Sequence, residues 1–303
     1  CWFESGSMPF ASLHYPFENK DLFEKTFPAD YIIEGQDQTR GWFYHLMIMS
    51  VALFDRPAFR CVSVNGLVVD ENKRKFSKSL GNFENPEQQL DTYGADAVRL
   101  FILGSNFLKA EPVPVDKAGK VFNEPIKTIL TPLWNAYHFF TLYANAGNIT
   151  ARDVWGTPPR NALDEYILAE TNMLIKTVDA ALAEYKPDVA VKEFVRFLDV
   201  LNNWYVRRSR ARFWDEDTDA FNTLYTVLVM VCRLMAPFAP FISEYIYKNL
   251  TGAESVHSTD WPTAMDMNEK IVADMRRVQE IVSTGKQLRE QYKLRNRLPL
   301  SKL

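Results

Sequence analysis

The sequence has few cysteines, no long apolar run and no net positive charge, and each absence excludes a class of protein. Its cysteines, Cys1, Cys61 and Cys232, are odd in number and far apart, which excludes a disulfide framework and a cysteine-rich zinc cluster and favours a reducing, cytoplasmic setting. The longest apolar run, LYTVLVMVCRLMAPFAPFI, is interrupted by arginine and proline, so no membrane association is expected. A net charge of −3 excludes a global basic field for nucleic acid.

Two common phosphate-binding motifs are also missing. Neither GxxxxGK[ST] nor GxGxxG occurs, so the chain has no P-loop and no dinucleotide fingerprint. What the sequence does have is apolar material: 47% of its 303 residues are hydrophobic and 14% are aromatic, enough for two domains with separate cores.

The order of predicted elements gives an α/β part followed by an all-α part. DYIIEG and FRCVSVNGLVV are typical of strands, a helix-length segment lies between them, and a helix is predicted to begin at Asn85 or Pro86. This order predicts a parallel, doubly wound sheet with ligands at the carboxyl ends of its strands. The proline-containing segment KAEPVPVDKAG marks a boundary, and we predict an α/β domain over 1–110, a linker over 111–125 and a helical domain over 126–303.

The helical part is predicted to be a bundle. Its long helical segments are 120–146, 162–185, 188–214, 219–250 and 267–292. The third segment carries an apolar stripe at helical spacing, formed by Val191, Phe194, Leu198, Leu201 and Tyr205. Consecutive helices joined by short links favour antiparallel packing.

Three polar segments are candidates for a site. KFSKS places Lys75 and Lys78 three residues apart after a predicted strand, which suits either a solvated loop or a triphosphate. EGQDQTRGWF crowds polar groups at a strand-to-helix turn, where Asp37 or Thr39 could cap the helix and Glu34 needs a donor such as a ribose hydroxyl. CWFESGS is predicted to place two aromatic side chains beside a polar turn.

Together these segments carry a resemblance to a known family. KFSKS followed by LGN resembles the KMSKS signature of class I aminoacyl-tRNA synthetases, with Phe76 as the apolar anchor in place of the usual methionine. CWFESGS, EGQDQTRGWF and VNGLV resemble the isoleucyl branch of that family. The resemblance implies that 1–110 is the C-terminal half of a Rossmann-type catalytic domain and that the helical remainder is an anticodon-binding domain.

The resemblance also implies roles for the matched residues. The ATP or aminoacyl-adenylate would contact a polar set, with Gln38 near the polar end of the amino acid: Glu34, Gly35, Asp37, Gln38 and Ser77. Trp2 and Trp42 would line the isoleucine pocket. Lys75 and Lys78 would bind the ATP phosphates and stabilise the transition state of adenylate formation. The implied partners are isoleucine, tRNA(Ile) and ATP with Mg²⁺, and no protein-bound metal is expected.

One part of the family's site is missing from the sequence. None of the four histidines lies in an HxGH motif, and the editing insertion that precedes WFESG in the family is absent. The chain is therefore expected to be a fragment that needs the N-terminal half of the same enzyme and makes no adenylate alone. The family's C-terminal zinc-binding extension, where present, also lies outside it.

The contacts with tRNA are expected to come from basic residues of the helical part. From Val272 to Leu303 eight lysines and arginines face three acidic residues, which suits RNA contact or a solvated helix face. Projected at 100° per residue, Arg208 and Arg212 continue the apolar stripe, and either RNA or carboxylates of a neighbouring helix could neutralise them. The candidates are Arg208, Arg212, Arg289, Lys293, Arg295 and Arg297.

Two rival functions fit parts of this pattern. Another branched-chain class I synthetase would share the lysine segment but would have a pocket matched to a different side chain. A non-catalytic RNA-binding module would use the bundle alone, and the missing histidine motif favours it for the isolated chain.

Overall fold

The computed structural model describes residues 1–76, 81–82, 85–295 and 298–299, and Ser77, Lys78 and Arg297 lie outside them. The chain divides into two compact units, Cys1–Glu124 and Pro125–Leu303. Within the described residues, no helix combines the length and the apolar character that crossing a bilayer requires.

The first unit alternates short strands and helices, as predicted. Its helices are α1 (Trp2–Ala11), α2 (Lys20–Thr26), α3 (Trp42–Phe54), α4 (Pro86–Tyr93), α5 (Ala95–Gly104) and the short α6 (Asn123–Pro125) at the unit boundary. Its strands are β1 (Ala29–Gly35), β2 (Phe59–Asn65), β3 (Val68–Val69) and β4 (Val113–Pro114). Among the described residues of this unit, 3-10 turns occur at Gln36–Arg40, Asn106–Lys109 and Lys120–Phe122.

The strands form two parallel pairs, which confirms the parallel α/β class. β1 pairs with β2 from Ala29 opposite Phe59 to Gly35 opposite Asn65, and α3 forms the crossover between them. β3 pairs with β4. Because β1 and β2 are parallel, their carboxyl ends lie at the same edge of the sheet. The polar segment Gln36–Arg40 begins at this edge.

An aromatic core fixes β1 against the crossover helix. Phe23, Phe27, Ile32, Phe43 and Leu46 are all buried together. Ile32 lies on β1, and Phe43 and Leu46 lie on one face of α3. Phe23 lies in α2, and Phe27 directly follows that helix. Burial of these large side chains therefore sets how the polar turn after β1 is presented.

The predicted start of α4 is confirmed, whereas the predicted turn at CWFESGS is wrong. The Asn85 side chain caps α4 by accepting a hydrogen bond from Glu87 N at 3.2 Å, and Pro86 occupies the first helical position. CWFESGS instead lies in α1. Glu4 lies in the first turn of α1, and Ser7 Oγ donates to Glu4 O at 3.0 Å inside that helix.

The second unit is a helical bundle, which confirms the all-α part. Its helices are α7 (Thr131–Ala146), α8 (Ala162–Ala183), α9 (Pro187–Asp199), α10 (Arg207–Trp214), α11 (Thr218–Met235), α12 (Pro240–Thr251) and α13 (Lys270–Gln291). The described residues of this unit also form two π-helical segments, Ile126–Leu130 and Val200–Val206, and a 3-10 turn, Val256–Ser258. The predicted apolar stripe of the third segment is buried at every position.

Two details of the bundle differ from the prediction. The single helix predicted over 219–250 is divided into α11 and α12, because Pro240 has no backbone N–H to donate and instead occupies the first position of a new helix. The π-helical segment Val200–Val206 changes the phase of the third segment. As a result Ser209 and Phe213 continue the buried stripe, whereas Arg208 is exposed.

Candidate functional site

The carboxyl end of β1 presents two carboxylates around a glycine. Glu34 is exposed, and its Oε2 accepts a hydrogen bond from Gly35 N at 3.3 Å. Asp37, which is also exposed, folds back so that its Oδ1 lies 2.7 Å from the position a Cβ on Gly35 would take. A side chain at position 35 would collide with that carboxylate, so glycine allows Asp37 to lie close over the end of the strand.

Gln38 links this turn to the crossover helix. Its Oε1 accepts from Trp42 N at 2.7 Å, and its Nε2 donates to Asp37 Oδ2 at 3.1 Å. Gln38, rather than the expected Asp37 or Thr39, therefore caps the start of α3, and Thr39 Oγ1 donates to the Gln36 carbonyl instead. The cap brings the side chains of Asp37 and Gln38 together.

The two tryptophans lie where α1 meets α3. Trp42 Nε1 donates to Ser5 O at 3.2 Å. The indole of Trp2 lies 3.2 Å from the position of a Cβ on Gly41, and that position is also 2.5 Å from Gln38 Oε1. A side chain at position 41 would push Trp2 and Gln38 apart. The structure therefore brings Trp2, Trp42, Gln38 and Asp37 into one continuous set of contacts beside the end of β1.

His45 belongs to the same set, although the sequence did not single it out. Its ring stacks on Trp2 with ring centroids 5.5 Å apart and an angle of 11° between the planes. Its Nδ1 lies 2.7 Å from the Gly41 carbonyl oxygen. The sequence signal for His45 was its position four residues after Gly41. Residues four apart share one face of a helix, so this spacing indicates that His45 lies near the Gly41 turn.

Lys75 is held by a different part of the unit, just after β3. Its backbone forms an antiparallel bridge with Val69, and its carbonyl accepts from Asn82 Nδ2 at 3.2 Å. Phe76 packs against the apolar cluster of Val113, Val115 and Phe122, which confirms the predicted apolar anchor. The Lys75 side chain is exposed, and no carboxylate of the described residues lies within ion-pair distance of its ammonium group.

A buried carboxylate beside Lys75 was also missed. Asp70 is 5% exposed and accepts hydrogen bonds from Asn72, Arg74 and Asn82. The amide of Asn82, with the donors of Arg74 and Asn72, lowers the pKa of Asp70 to about 2. Only the position of an acidic residue directly after a strand could have signalled it, because its partner Asn82 lies twelve residues away.

The arginines of the bundle have different surroundings. Arg212 donates to both oxygens of buried Asp164, at 2.8 Å and 2.7 Å, and its Nε donates to Asp217 at 2.7 Å. Arg208 is exposed, with its guanidinium 3.6 Å from the centroid of the Trp204 ring. These contacts favour the carboxylate alternative for Arg212 and leave the charge of Arg208 at the surface.

The basic end of α13 is partly tied to itself. Arg289 Nη1 donates to the carbonyl oxygens of Arg295 and Leu298, each at 2.8 Å. Lys293 and Arg295 have exposed side chains. The beginning of α13 is anchored by buried Val272, which packs against Tyr166 of α8.

Comparison with family models defines the class. Residues 1–113 match the model described as tRNA synthetases class I (I, L, M and V), and residues 164–303 match the anticodon-binding domain of tRNA ligases. The chain belongs to the class I aminoacyl-tRNA synthetases.

Individual relatives narrow this class. The chain is 47% identical to the isoleucine–tRNA ligase of Protochlamydia amoebophila over 99% of its own length and 30% of the relative's. It is 44% identical to that of Bifidobacterium longum over its whole length and 29% of the relative's. Both relatives are isoleucine–tRNA ligases, and the chain spans about 30% of the length of each.

A solved structure supports the fold. The LeuRS chain of the LeuRS–tRNA–LeuAMS ternary complex from Agrobacterium radiobacter K84 matches 89% of this chain and 33% of its own, with a TM-score of 0.70 and 22% sequence identity. At this identity the likeness establishes the fold and nothing further.

Proposed function

We propose that the protein carrying this chain is an isoleucine–tRNA ligase, which activates isoleucine with ATP and transfers the acyl group to tRNA(Ile). The observation that carries the proposal is the contact set at the end of β1, where the Asp37 carboxylate and the Gln38 amide meet two tryptophans. Carboxylates suit the hydroxyls of a ribose, and indole rings suit a branched aliphatic side chain. This pairing of groups fits an aminoacyl-adenylate.

Each residue of the set has a separate role in this proposal. Glu34 and Asp37 accept hydrogen bonds from the ribose hydroxyls, and Gly35 contributes by leaving room for the Asp37 carboxylate over the end of β1. Trp2 and Trp42 form apolar walls for isoleucine. Gln38 lies near the polar end of the amino acid and holds Asp37 in place through its Nε2.

Lys75 binds the phosphates of ATP in this proposal, together with Lys78 and Ser77, which lie outside the described residues. An ammonium group gains most when negative charge moves onto the leaving pyrophosphate, so the lysines act on the transition state. Mg²⁺ arrives with ATP as part of the substrate. Among the described residues, no cluster of three or more histidine, cysteine or acidic side chains forms a metal site.

The helical unit is proposed to bind tRNA through exposed cations. Lys293, Arg295 and Arg208 are exposed at its surface, and Arg297 follows in sequence outside the described residues. Arg212 is excluded from this role in our proposal because its donors are already directed at Asp164 and Asp217. Arg289 contributes indirectly, by holding the carbonyl groups of the segment that carries Arg295.

The remaining part of the catalytic site is proposed to come from outside residues 1–303. The HIGH-type histidine motif is absent from this sequence, and the chain spans about 30% of the length of its relatives. Apolar side chains of β1, β2 and α3 are exposed, including Ile33, Val62 and Ile48. These side chains are suited to pack against the N-terminal half of the same enzyme, and the chain alone is expected to make no adenylate.

Amino-acid-dependent ATP–pyrophosphate exchange tests the proposal. The intact protein should exchange with isoleucine much faster than with valine or leucine, and the chain alone should remain near background. Equal rates with valine would favour another branched-chain synthetase. Absence of any exchange, with tRNA binding retained, would favour a non-catalytic RNA-binding module.

A further inference from the structure

Asp70 collects hydrogen bonds from both ends of the lysine segment. Its Oδ1 accepts from the backbone N–H groups of Asn72 at 2.9 Å and Arg74 at 2.8 Å. Its Oδ2 accepts from Arg74 Nε at 2.9 Å and from Asn82 Nδ2 at 3.0 Å. Four donors therefore converge on one buried carboxylate, and they come from residues before and after Lys75 in the sequence.

The same contacts fix the backbone of Lys75. Asn82 Nδ2 also donates to the Lys75 carbonyl at 3.2 Å, so one amide joins Lys75 to Asp70. Asp70 N donates to Arg74 O at 2.8 Å, directly before Lys75, and Val69 bridges to Lys75 itself. The main chain at Lys75 is thus held on several sides, while its side chain stays exposed.

We propose, on the basis of the proposed function, that Asp70 is a positioning residue for adenylate formation, which holds Lys75 where its ammonium group meets the ATP phosphates. In this step the isoleucine carboxylate attacks the α-phosphorus of ATP and pyrophosphate leaves, so the charged groups must already be in place, and a displacement of about 1 Å reduces the rate on the order of 10²-fold. Asp70 acts through Lys75 and does not touch the substrate.

A carboxylate suits this position better than an amide of the same shape. All four partners are donors, and a carboxylate only accepts hydrogen bonds. An asparagine would turn an NH₂ group towards at least one of these donors and leave it unpaired. Since the pKa of Asp70 is lowered to about 2, the residue is ionised throughout the neutral range.

Removal of the negative charge of Asp70 has opposite expected effects if Asp70 positions Lys75 and if it acts only through its charge. A negative charge close to Lys75 opposes the binding of an anionic triphosphate. If charge alone mattered, its removal would strengthen ATP binding and leave the rate unchanged or faster. If Asp70 positions Lys75, its removal slows adenylate formation although the local charge becomes more favourable.

The test uses the intact protein with Asp70→Asn, Asn82→Ala and Asp116→Asn. Asp70→Asn should lower kcat of isoleucine-dependent exchange by about 10²-fold, with KM for isoleucine unchanged and KM for ATP unchanged or lower. Asn82→Ala should act in the same direction with a smaller effect. Asp116→Asn is the matched control, because Asp116 accepts from Val121 N in the same unit and should leave kcat unchanged.

The outcomes separate this inference from the proposed function. A wild-type protein without isoleucine-dependent exchange contradicts the proposed function. An active wild type with an unchanged kcat in folded Asp70→Asn overturns the positioning role, and so does an equal loss in Asp116→Asn. If Asp70→Asn fails to fold, Asn82→Ala decides, since an unchanged kcat in that variant also overturns the role.

Discussion

The imidazole of His45 stacks on the indole of Trp2, with ring centroids 5.5 Å apart and an interplanar angle of 11°. The same imidazole is fixed by its Nδ1 contact with the Gly41 carbonyl at 2.7 Å. Trp2 is half exposed, so this stack and the close approach to Gly41 determine its orientation. The sequence-based prediction gave only Trp2 and Trp42 to the isoleucine pocket. In the structure, the orientation of Trp2 in the proposed pocket also depends on His45.

Replacement of this histidine should weaken isoleucine binding without slowing the chemistry. An aromatic pair contributes about 0.5–1.5 kcal/mol beyond buried area, so His45→Ala in the intact protein should raise KM for isoleucine by about 3- to 10-fold. We expect kcat and KM for ATP to stay unchanged. Leu53→Ala, which removes an exposed side chain near the other end of α3, is the control in the same exchange assay. An unchanged KM in His45→Ala would show that Trp2 keeps its place without the stack.

Arg212 should stabilise the bundle rather than bind RNA. Its partner Asp164 is 1% exposed, and removal of Arg212 leaves that carboxylate buried and without its cation. Arg212→Ala should lower the free energy of unfolding by about 3–5 kcal/mol. Arg208→Ala removes only an exposed cation over Trp204 and should cost about 0.5–1 kcal/mol.

Urea unfolding of the chain and filter binding of tRNA distinguish the two roles of these arginines. We expect the large stability loss in Arg212→Ala alone. Equal stability of the two variants, combined with a selective loss of tRNA affinity in Arg212→Ala, would contradict it.

The three cysteines should differ in reactivity because they differ in burial. Cys1 is exposed and Cys61 is partly exposed, whereas Cys232 is fully buried in α11, and this burial raises the pKa of its thiol. A thiol reagent should therefore label Cys1 and Cys61 quickly and Cys232 about 10²-fold more slowly or only after unfolding. Cys232→Ala should abolish the slow phase. Rapid labelling of three thiols in the native protein would show that α11 is accessible.

The salt dependence of tRNA binding should come from the exposed end of α13. Each cation that contacts a phosphate contributes about 1 to the slope of log K against log salt concentration. Lys293→Glu combined with Arg295→Glu should weaken tRNA binding and reduce the slope by about 2. Arg289 is left intact in this test because it holds the carbonyl groups of Arg295 and Leu298.

A matched pair of charge reversals controls for net charge. Lys20 and Lys25 lie on α2 with exposed side chains, and Lys20→Glu with Lys25→Glu changes the charge by the same amount. This control should leave the slope nearly unchanged. If both pairs of substitutions changed the slope equally, the basic end of α13 would be a solvated helix face that does not contact tRNA.

Local sequence patterns predicted helices and strands correctly where the residues in the pattern favour a single backbone conformation. Asn85 with Pro86 predicted the start of α4, because an asparagine cap and a proline at the first position both suit a helix N-terminus. The buried stripe from Val191 to Tyr205 followed from helical periodicity. The strands followed from their β-branched residues, and their parallel pairing followed from the intervening helix.

The remaining features depend on contacts that no local pattern contains. The π-helical segment Val200–Val206 shifts the helix phase, so a projection at 100° per residue placed Arg208 on the wrong face. CWFESGS has the small and polar residues of a turn, yet its packing against α3 favours a helix. Asp70 and Asn82 meet only after folding, so the carboxylate that holds Lys75 was not visible in the sequence.

Single-turnover formation of isoleucyl-adenylate by the intact protein with Lys78→Ala measures the contribution of the lysine segment to the chemical step. We predict a rate on the order of 10²–10³-fold below wild type, with isoleucine affinity nearly unchanged, because the lysine stabilises the negative charge that develops on the leaving pyrophosphate. A normal rate of adenylate formation, or a defect confined to isoleucine affinity, would contradict the account.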